Sequence, residues 1–69
     1  MNLIEIISTN IETKRKKIGI SVEKLSRKAD ISLSALNKIR KGNIKYIRVD
    51  TFFALANALN CTMDELVQK

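Results

Sequence analysis

The sequence contains no proline, no histidine and no tryptophan, and only two glycines and one cysteine. Because proline is the strongest helix breaker, we predict helices along nearly the whole chain. No imidazole is available as a general base, and the lone Cys61 can form neither a disulfide within one chain nor the usual zinc sites. We therefore expect no enzyme activity, no metal and no cofactor. Cys61 is interpreted as a small buried apolar residue.

Long apolar runs are also missing. No stretch approaches the roughly 20 apolar residues of a membrane span, and no basic region precedes the first apolar residues as it would in a signal peptide. A single cysteine is typical of a reducing compartment. A chain of 69 residues has room for one domain, so we predict a single domain over residues 1–69, located in the cytoplasm.

The positive charge is concentrated in the middle of the chain. Residues 14–48 hold twelve of the thirteen basic residues and only two acids, which gives +10, whereas residues 1–13 and 49–69 each carry −2. Such a distribution is typical of a surface that binds a polyanion. Charge alone does not establish the function, because many basic proteins bind nucleic acid only weakly or not at all.

Apolar spacing predicts five helices and no strand. In the first helix the repeating residues are Leu3, Ile7, Ile11 and Ile18, with Ile4 and Ile6 beside them. The second has Val22, Leu25 and Ala29 on one face, and the third extends from Ser32 to about Lys41. In the fourth, roughly Val49 to Leu59, one side carries Val49, Phe52, Ala56 and Leu59, with Leu55 nearby. We expect Leu25, Leu36, Ile39, Phe52 and Leu59 to share one core.

Residues that begin and end helices fall between these segments. Ser21 and Ser32 are predicted N-caps, and Thr62 with Glu65 forms a capping box that begins a short fifth helix. Gly19, Asp30, Gly42 and Asn60 stand where helices should end, and all four tolerate the left-handed backbone conformation.

The third helix has two chemically different sides. Steps of about 100° per residue place Ala35, Leu36 and Ile39 within one arc. The opposite side carries Leu33, Ser34, Asn37, Lys38, Arg40 and Lys41, without any acid. In the DNA major groove, asparagine pairs with adenine, lysine with guanine, and an apolar group with the thymine methyl. A solvated basic face with one scattered leucine has the same composition, so both interpretations remain open.

Residues 21–42 resemble the helix-turn-helix of the phage-repressor and Cro-type family, which has the lambda-repressor-like fold. The matching residues are Ser21 to Ser26, Lys28 to Ser32, Leu36, Ile39 and Gly42. Val49 to Leu59 is similar to the family's fourth helix and Thr62 to Leu66 to its fifth, so the resemblance covers nearly the whole chain. It implies an all-α, compact five-helix domain.

Five positions depart from the family pattern. Val22 replaces a common glutamine, and Ser26 replaces a common alanine. Asp30 stands at the usual turn glycine, Arg40 at a common acid and Ile47 at a common proline. The phosphate contact of the glutamine is therefore not expected here, and Arg40 makes the third helix more cationic. No known operator sequence should be transferred to this chain.

The resemblance implies a role for each matching residue. Those expected to contact bases are Leu33, Ser34, Asn37 and Lys38, and those expected along the DNA backbone are Ser32, Lys41, Asn43 and Lys45. Lys14 to Lys17 are ambiguous, because basic residues there also stabilise the helix C-terminus.

The predicted function is a transcriptional regulator, a repressor, which binds a palindromic operator in double-stranded DNA as a homodimer. Ile47, Met63 and Val67 are apolar residues outside the predicted core and form the expected dimer interface. Two alternatives remain open. One is an antitoxin-like module whose main partner is a protein. The other is an RNA-binding protein, which is disfavoured because Phe52 and Phe53 are expected inside, leaving only Tyr46 for base stacking.

Overall fold

The computed structural model describes residues 2–69. Within this range the chain forms five helices and no strand: α1 Leu3–Ile18, α2 Val22–Ala29, α3 Leu33–Arg40, α4 Val49–Ala58 and α5 Met63–Leu66. α1 packs against α3 and α5, while α2 packs against α3 and α4. The predicted all-α, five-helix lambda-repressor-like fold is confirmed, and the helix bounds agree to within about one residue. In the described part of the chain no helix is long and apolar enough to cross a membrane.

Short polar side chains begin four of the helices. At each N-cap a side-chain oxygen accepts a hydrogen bond from the backbone N–H three residues later. The four pairs are Asn2 with Glu5 at 2.9 Å, Ser21 with Lys24 at 3.1 Å, Ser32 with Ala35 at 3.0 Å and Thr62 with Glu65 at 3.1 Å. The caps at Ser21, Ser32 and Thr62 were predicted from the sequence, whereas the one at Asn2 was not.

Residues in the left-handed backbone conformation end four of the helical segments, as predicted. Their φ angles are 74° at Gly19, 55° at Asp30, 73° at Gly42 and 57° at Asn60. In each case the next residue donates its N–H to a carbonyl five positions earlier, for example Ile31 to Ser26 at 3.0 Å. These are Schellman-type ends, in which the backbone turns sharply and leaves few carbonyls unpaired. Sharp ends are what allow α2 and α3 to follow each other after a break of only three residues.

The core contains all five residues that were assigned to it. Leu25, Leu36, Ile39, Phe52 and Leu59 are buried in one cluster. Ile11, Leu55 and Leu66 complete its most deeply buried part. The cluster therefore joins every helix, and it fixes the direction in which the polar side of α3 faces.

Four apolar residues that were expected to face the interior are exposed. Leu3 and Ile18, at the two ends of α1, are exposed, because the helix extends past the core on both sides. On α4, Val49 is 74 % exposed and Phe53 is 55 % exposed, so the expectations that Val49 shares the core face and that Phe53 is internal were wrong. Phe52 occupies the core, as predicted, and Phe53, the next residue on the helix, is rotated by about 100° away from it.

Candidate nucleic-acid interface

The short turn between α2 and α3 holds these two helices in a fixed relation. Asp30 adopts φ 55° and ψ 46° and donates its N–H to the carbonyls of Arg27 and Ser26. Leu25 and Ala29 on α2 are buried with Leu36 and Ile39 on α3. α3 thus lies with one side in the core, and its other side is left facing solvent.

The exposed side of α3 and the residues after it enclose an open depression of about 470 Å³. Its lining is Leu33, Ser34, Asn37, Lys38, Lys41 and Asn43. We call these six residues the α3 face. They include all four of the predicted base-contacting residues and two of the predicted backbone-contacting ones. Among residues 2–69, Lys38 and Lys41 line this depression and no carboxylate does, so the α3 face is cationic.

Leu33 is 42 % exposed at the start of the α3 face. Its exposure leaves an apolar surface available for contact beside the polar residues of this face. Ser32, just before it, uses its hydroxyl oxygen to cap α3. The hydroxyl hydrogen of Ser32 remains able to donate to an anion.

Lys45 is exposed but lies apart from the α3 face. It borders a second depression, of about 520 Å³, together with Leu3, Ile4, Tyr46 and Ile47. The structure therefore brings Lys41 and Asn43 to the predicted base-contacting residues and places Lys45 further along the same loop.

Arg40 does not belong to the α3 face, although its position on the helical wheel had placed it there. Its Nη2 donates to Glu12 Oε1 at 2.7 Å, and Glu12 also accepts from Arg15 Nε at 2.8 Å. Arg40 is thus paired with a carboxylate from α1, which it shares with Arg15. Contact with a distant helix has overridden the helical wheel, which describes only the residues of one helix.

This ion cluster is partly removed from water. The hydrogen bond from Arg40 lowers the pKa of Glu12 from 4.5 to about 2; burial acts in the opposite direction, and Arg15 lowers it further. Glu12 is therefore ionised at neutral pH and ties α1 to the end of α3. This contribution could not be inferred from the spacing of apolar residues.

Asn37 is connected to the same cluster. Arg40 Nη1 donates to Asn37 Oδ1 at 2.8 Å, so the side-chain amide of a predicted base-contacting residue already has a partner inside the protein. Asn37 is half-buried, unlike its neighbours Ser34 and Lys38, which are exposed.

The lysines at the end of α1 lie on another side. Lys14 Nζ is 3.1 Å from Glu65 Oε2 and joins α1 to α5. This ion pair, with smaller contributions from Thr62, lowers the pKa of Glu65. Lys14 and Lys17 border a depression with Cys61 and not with the α3 face. Burial raises the pKa of the Cys61 thiol, which favours its neutral form.

The three residues predicted for the dimer interface have different surroundings. Ile47 and Met63 are half-buried and pack against the core, whereas Val67 is 37 % exposed. Ile47 lies beside Lys38 and Tyr46, and Met63 borders a depression that contains Phe53. The exposed Phe53 is a surface residue, although it had been expected inside the protein.

Two short helices joined by a tight left-handed turn, with the second exposing a cationic and polar side, define a helix-turn-helix protein. The model of a helix-turn-helix family matches residues 11–66 of the chain. The chain belongs to this family, the helix-turn-helix proteins of the phage-repressor and Cro type, and it is a DNA-binding regulator. No match was found among curated proteins or among solved structures.

Proposed function

We propose that this protein is a sequence-specific repressor that contacts base edges in the major groove of duplex DNA through the α3 face, as a homodimer. The α3 face carries this proposal, because it combines groups that recognise base edges with cations and has no acid among its lining residues. Ser, Asn and Lys hydrogen-bond to base edges, and Leu33 packs against a thymine methyl.

The dimensions of α3 suit the groove. An α-helix with its side chains is about 10–12 Å across, and the major groove is about 12 Å wide, so it admits a helix such as α3. Leu33 and Ser34 lie in the first turn of α3, which is the part of a recognition helix that contacts base edges, and Asn37 lies one turn later on the same side. Ser32 at its start, with Lys41, Asn43 and Lys45 after its end, contacts phosphates on either side.

The size of the protein compared with that of DNA supports a homodimer. The longest dimension of the chain is 27 Å, whereas successive major grooves on one side of the duplex are about 34 Å apart. One protomer therefore covers one groove, and two related by a two-fold axis cover a palindrome. We place the interface at Ile47, Met63 and Val67, extended by the exposed Phe53. A dimer this small represses where its site overlaps a promoter.

Selection of binding sites from random duplex DNA tests the proposal. We expect enriched sequences that contain two inverted half-sites about one helical turn apart, at both low and physiological salt. Affinity for random duplex should fall steeply with salt, as phosphate contacts do, while the enriched sites retain preference. Random duplex bound as tightly as selected duplex at both salt concentrations would contradict sequence-specific recognition.

A second candidate is a protein-interaction module of the antitoxin kind. The observation in its favour is the exposed apolar pair Val49 and Phe53, one turn apart on α4. It predicts binding of a protein partner through α4 and no enrichment in the duplex selection. The two candidates are therefore separated by the same experiment.

A further inference from the structure

The geometry points to Arg40 as a positioning residue for base recognition: it orients the Asn37 side chain without touching DNA itself. This inference rests on the proposed function, because it concerns the way in which a base-contacting residue is presented. Arg40 stands at the end of α3, three residues after Asn37, and its guanidinium donates to Asn37 Oδ1 at 2.8 Å.

The guanidinium is itself held from the other side. Glu12 on α1 accepts from Arg40 Nη2 at 2.7 Å, and Glu12 is in turn fixed by Arg15 at 2.8 Å. Arg40 Nε is buried without a partner among the described residues, so the two Nη atoms determine its orientation. A planar guanidinium with two anchored donors has little freedom to rotate.

This arrangement selects one orientation of the Asn37 amide. A flip of the amide would turn its NH₂ group toward the Arg40 N–H groups, and two donors facing each other would lose the hydrogen bond. Oδ1 therefore faces Arg40, and Nδ2 is left as the free donor of Asn37. The second lone pair of Oδ1 also remains available, since a carbonyl oxygen accepts two hydrogen bonds.

A fixed amide of this kind favours a purine in the groove, with Nδ2 donating to N7 and Oδ1 accepting from the adenine amino group. A free asparagine must instead lose its rotational freedom when it binds. Arg40 thus strengthens the base preference of Asn37, although its own charge is paired with Glu12. Polar surroundings that hold a contacting side chain in its productive geometry strengthen its selectivity.

The test compares Arg40→Met with Arg15→Met. Both remove an arginine from Glu12, but only Arg40 bonds Asn37, and Arg15 bonds the Ile20 carbonyl instead. The base position that Asn37 recognises is first defined as the one where Asn37→Ala relaxes preference. At that position we expect R40M to reduce the preference for adenine by about three- to tenfold, the equivalent of one net hydrogen bond. R15M should leave it unchanged.

In the Asn37→Ala background, R40M should have no further effect on base preference. An equal loss of preference in R40M and R15M, or an undiminished R40M effect without Asn37, would overturn the inference. If Asn37→Ala changes preference at no position, base contact by Asn37 itself is wrong, and the failure lies in the proposed function.

A measurement on the unaltered protein covers the case in which R40M does not fold. The ¹⁵N order parameter of the Asn37 side-chain amide, recorded without DNA, should resemble that of rigid backbone, about 0.85. The exposed Asn43 on the same face is the matched control and should be much more mobile. Equal mobility of the two amides would show that Arg40 does not hold Asn37.

Discussion

Leu33 and Leu36 are separated by three positions on α3, yet they have opposite environments. Leu36 is fully buried between helices, whereas Leu33 is 42 % exposed on the α3 face. Leu36 therefore contributes to folding, whereas the proposed function assigns Leu33 to DNA contact. The difference makes these residues a matched pair for separating stability from DNA binding.

Leu36→Ala should lower the free energy of unfolding by about 2–5 kcal/mol, because it leaves a cavity between α2 and α3. Leu33→Ala should cost less than about 1 kcal/mol and should act on DNA binding instead. Denaturant titration of both variants measures the difference. A loss below about 0.5 kcal/mol for Leu36→Ala would mean that Leu36 is not packed as described.

Glu12 makes stability depend on pH. Its folded-state pKa is lowered from 4.5 to about 2 by hydrogen bonds from Arg40 and Arg15. A lowered carboxyl pKa stabilises the fold fully above about pH 4.5, and this stabilisation is lost as the pH falls toward 2. The contribution at neutral pH is about 2–3 kcal/mol, after allowance for the fifth of the side chain that water reaches.

Glu12→Gln should therefore be destabilised by about 2–3 kcal/mol near neutral pH, and its difference from the unaltered protein should shrink steadily below about pH 4.5. Urea titrations at several pH values measure this. Glu5→Gln is the control, because Glu5 is exposed and outside the cluster. A pH-independent difference would show that the carboxylate charge of Glu12 is not what stabilises the end of α3.

At the scale of the helices, the proposed function assigns base contact to α3 and phosphate contact to the loop after it. Lys38→Ala should cost about 1–3 kcal/mol on the selected site and relax base preference. Lys41→Ala or Lys45→Ala should weaken all sequences to a similar extent and reduce the slope of log affinity against log salt by about one. Titrations with selected and random duplex distinguish the two classes.

Equal weakening of selected and random duplex by Lys38→Ala would remove Lys38 from the base-contacting group. Lys24→Ala is a suitable control, because Lys24 is an exposed lysine on α2 that does not border the α3 face. Its substitution should change the net charge by the same amount with a smaller effect on affinity.

The proposed pairing concerns the whole molecule. Phe53→Gln with Val67→Gln removes exposed apolar area without adding charge, so any general effect on DNA electrostatics is avoided. We expect more than about tenfold weaker binding to a palindrome, with binding to a half-site little changed. Met63 is unsuitable for this test because it packs against the core, and its loss would also affect folding.

Ile18→Gln serves as the control for the dimer experiment, since Ile18 is similarly exposed at the end of α1 and lies outside the proposed interface. Sedimentation of the free protein shows in addition whether pairing requires DNA. Equal losses on the palindrome and the half-site would place the effect on folding or direct DNA contact, and the interface would have to be sought elsewhere.

Much of the fold was determined by local sequence. Ser21 and Ser32 begin helices because their hydroxyl oxygens satisfy free N–H groups, and Gly19 and Gly42 end them because they tolerate positive φ. These are interactions within a few residues, so they can be inferred from the chain alone. The same holds for the buried positions of α3, where helical spacing identified Leu36 and Ile39 correctly.

Only the tertiary structure decided that Phe53 stays outside the core although its neighbour Phe52 enters it, because the rotation of α4 in the packed fold turns just one of these two adjacent aromatic residues inward. It likewise decided that Arg40 turns to Glu12, which stands 28 positions earlier in the chain. Spacing along one helix carries no information about a partner on another. The surroundings of Asn37 and the exposed position of Phe53 therefore became visible only when the helices were packed together.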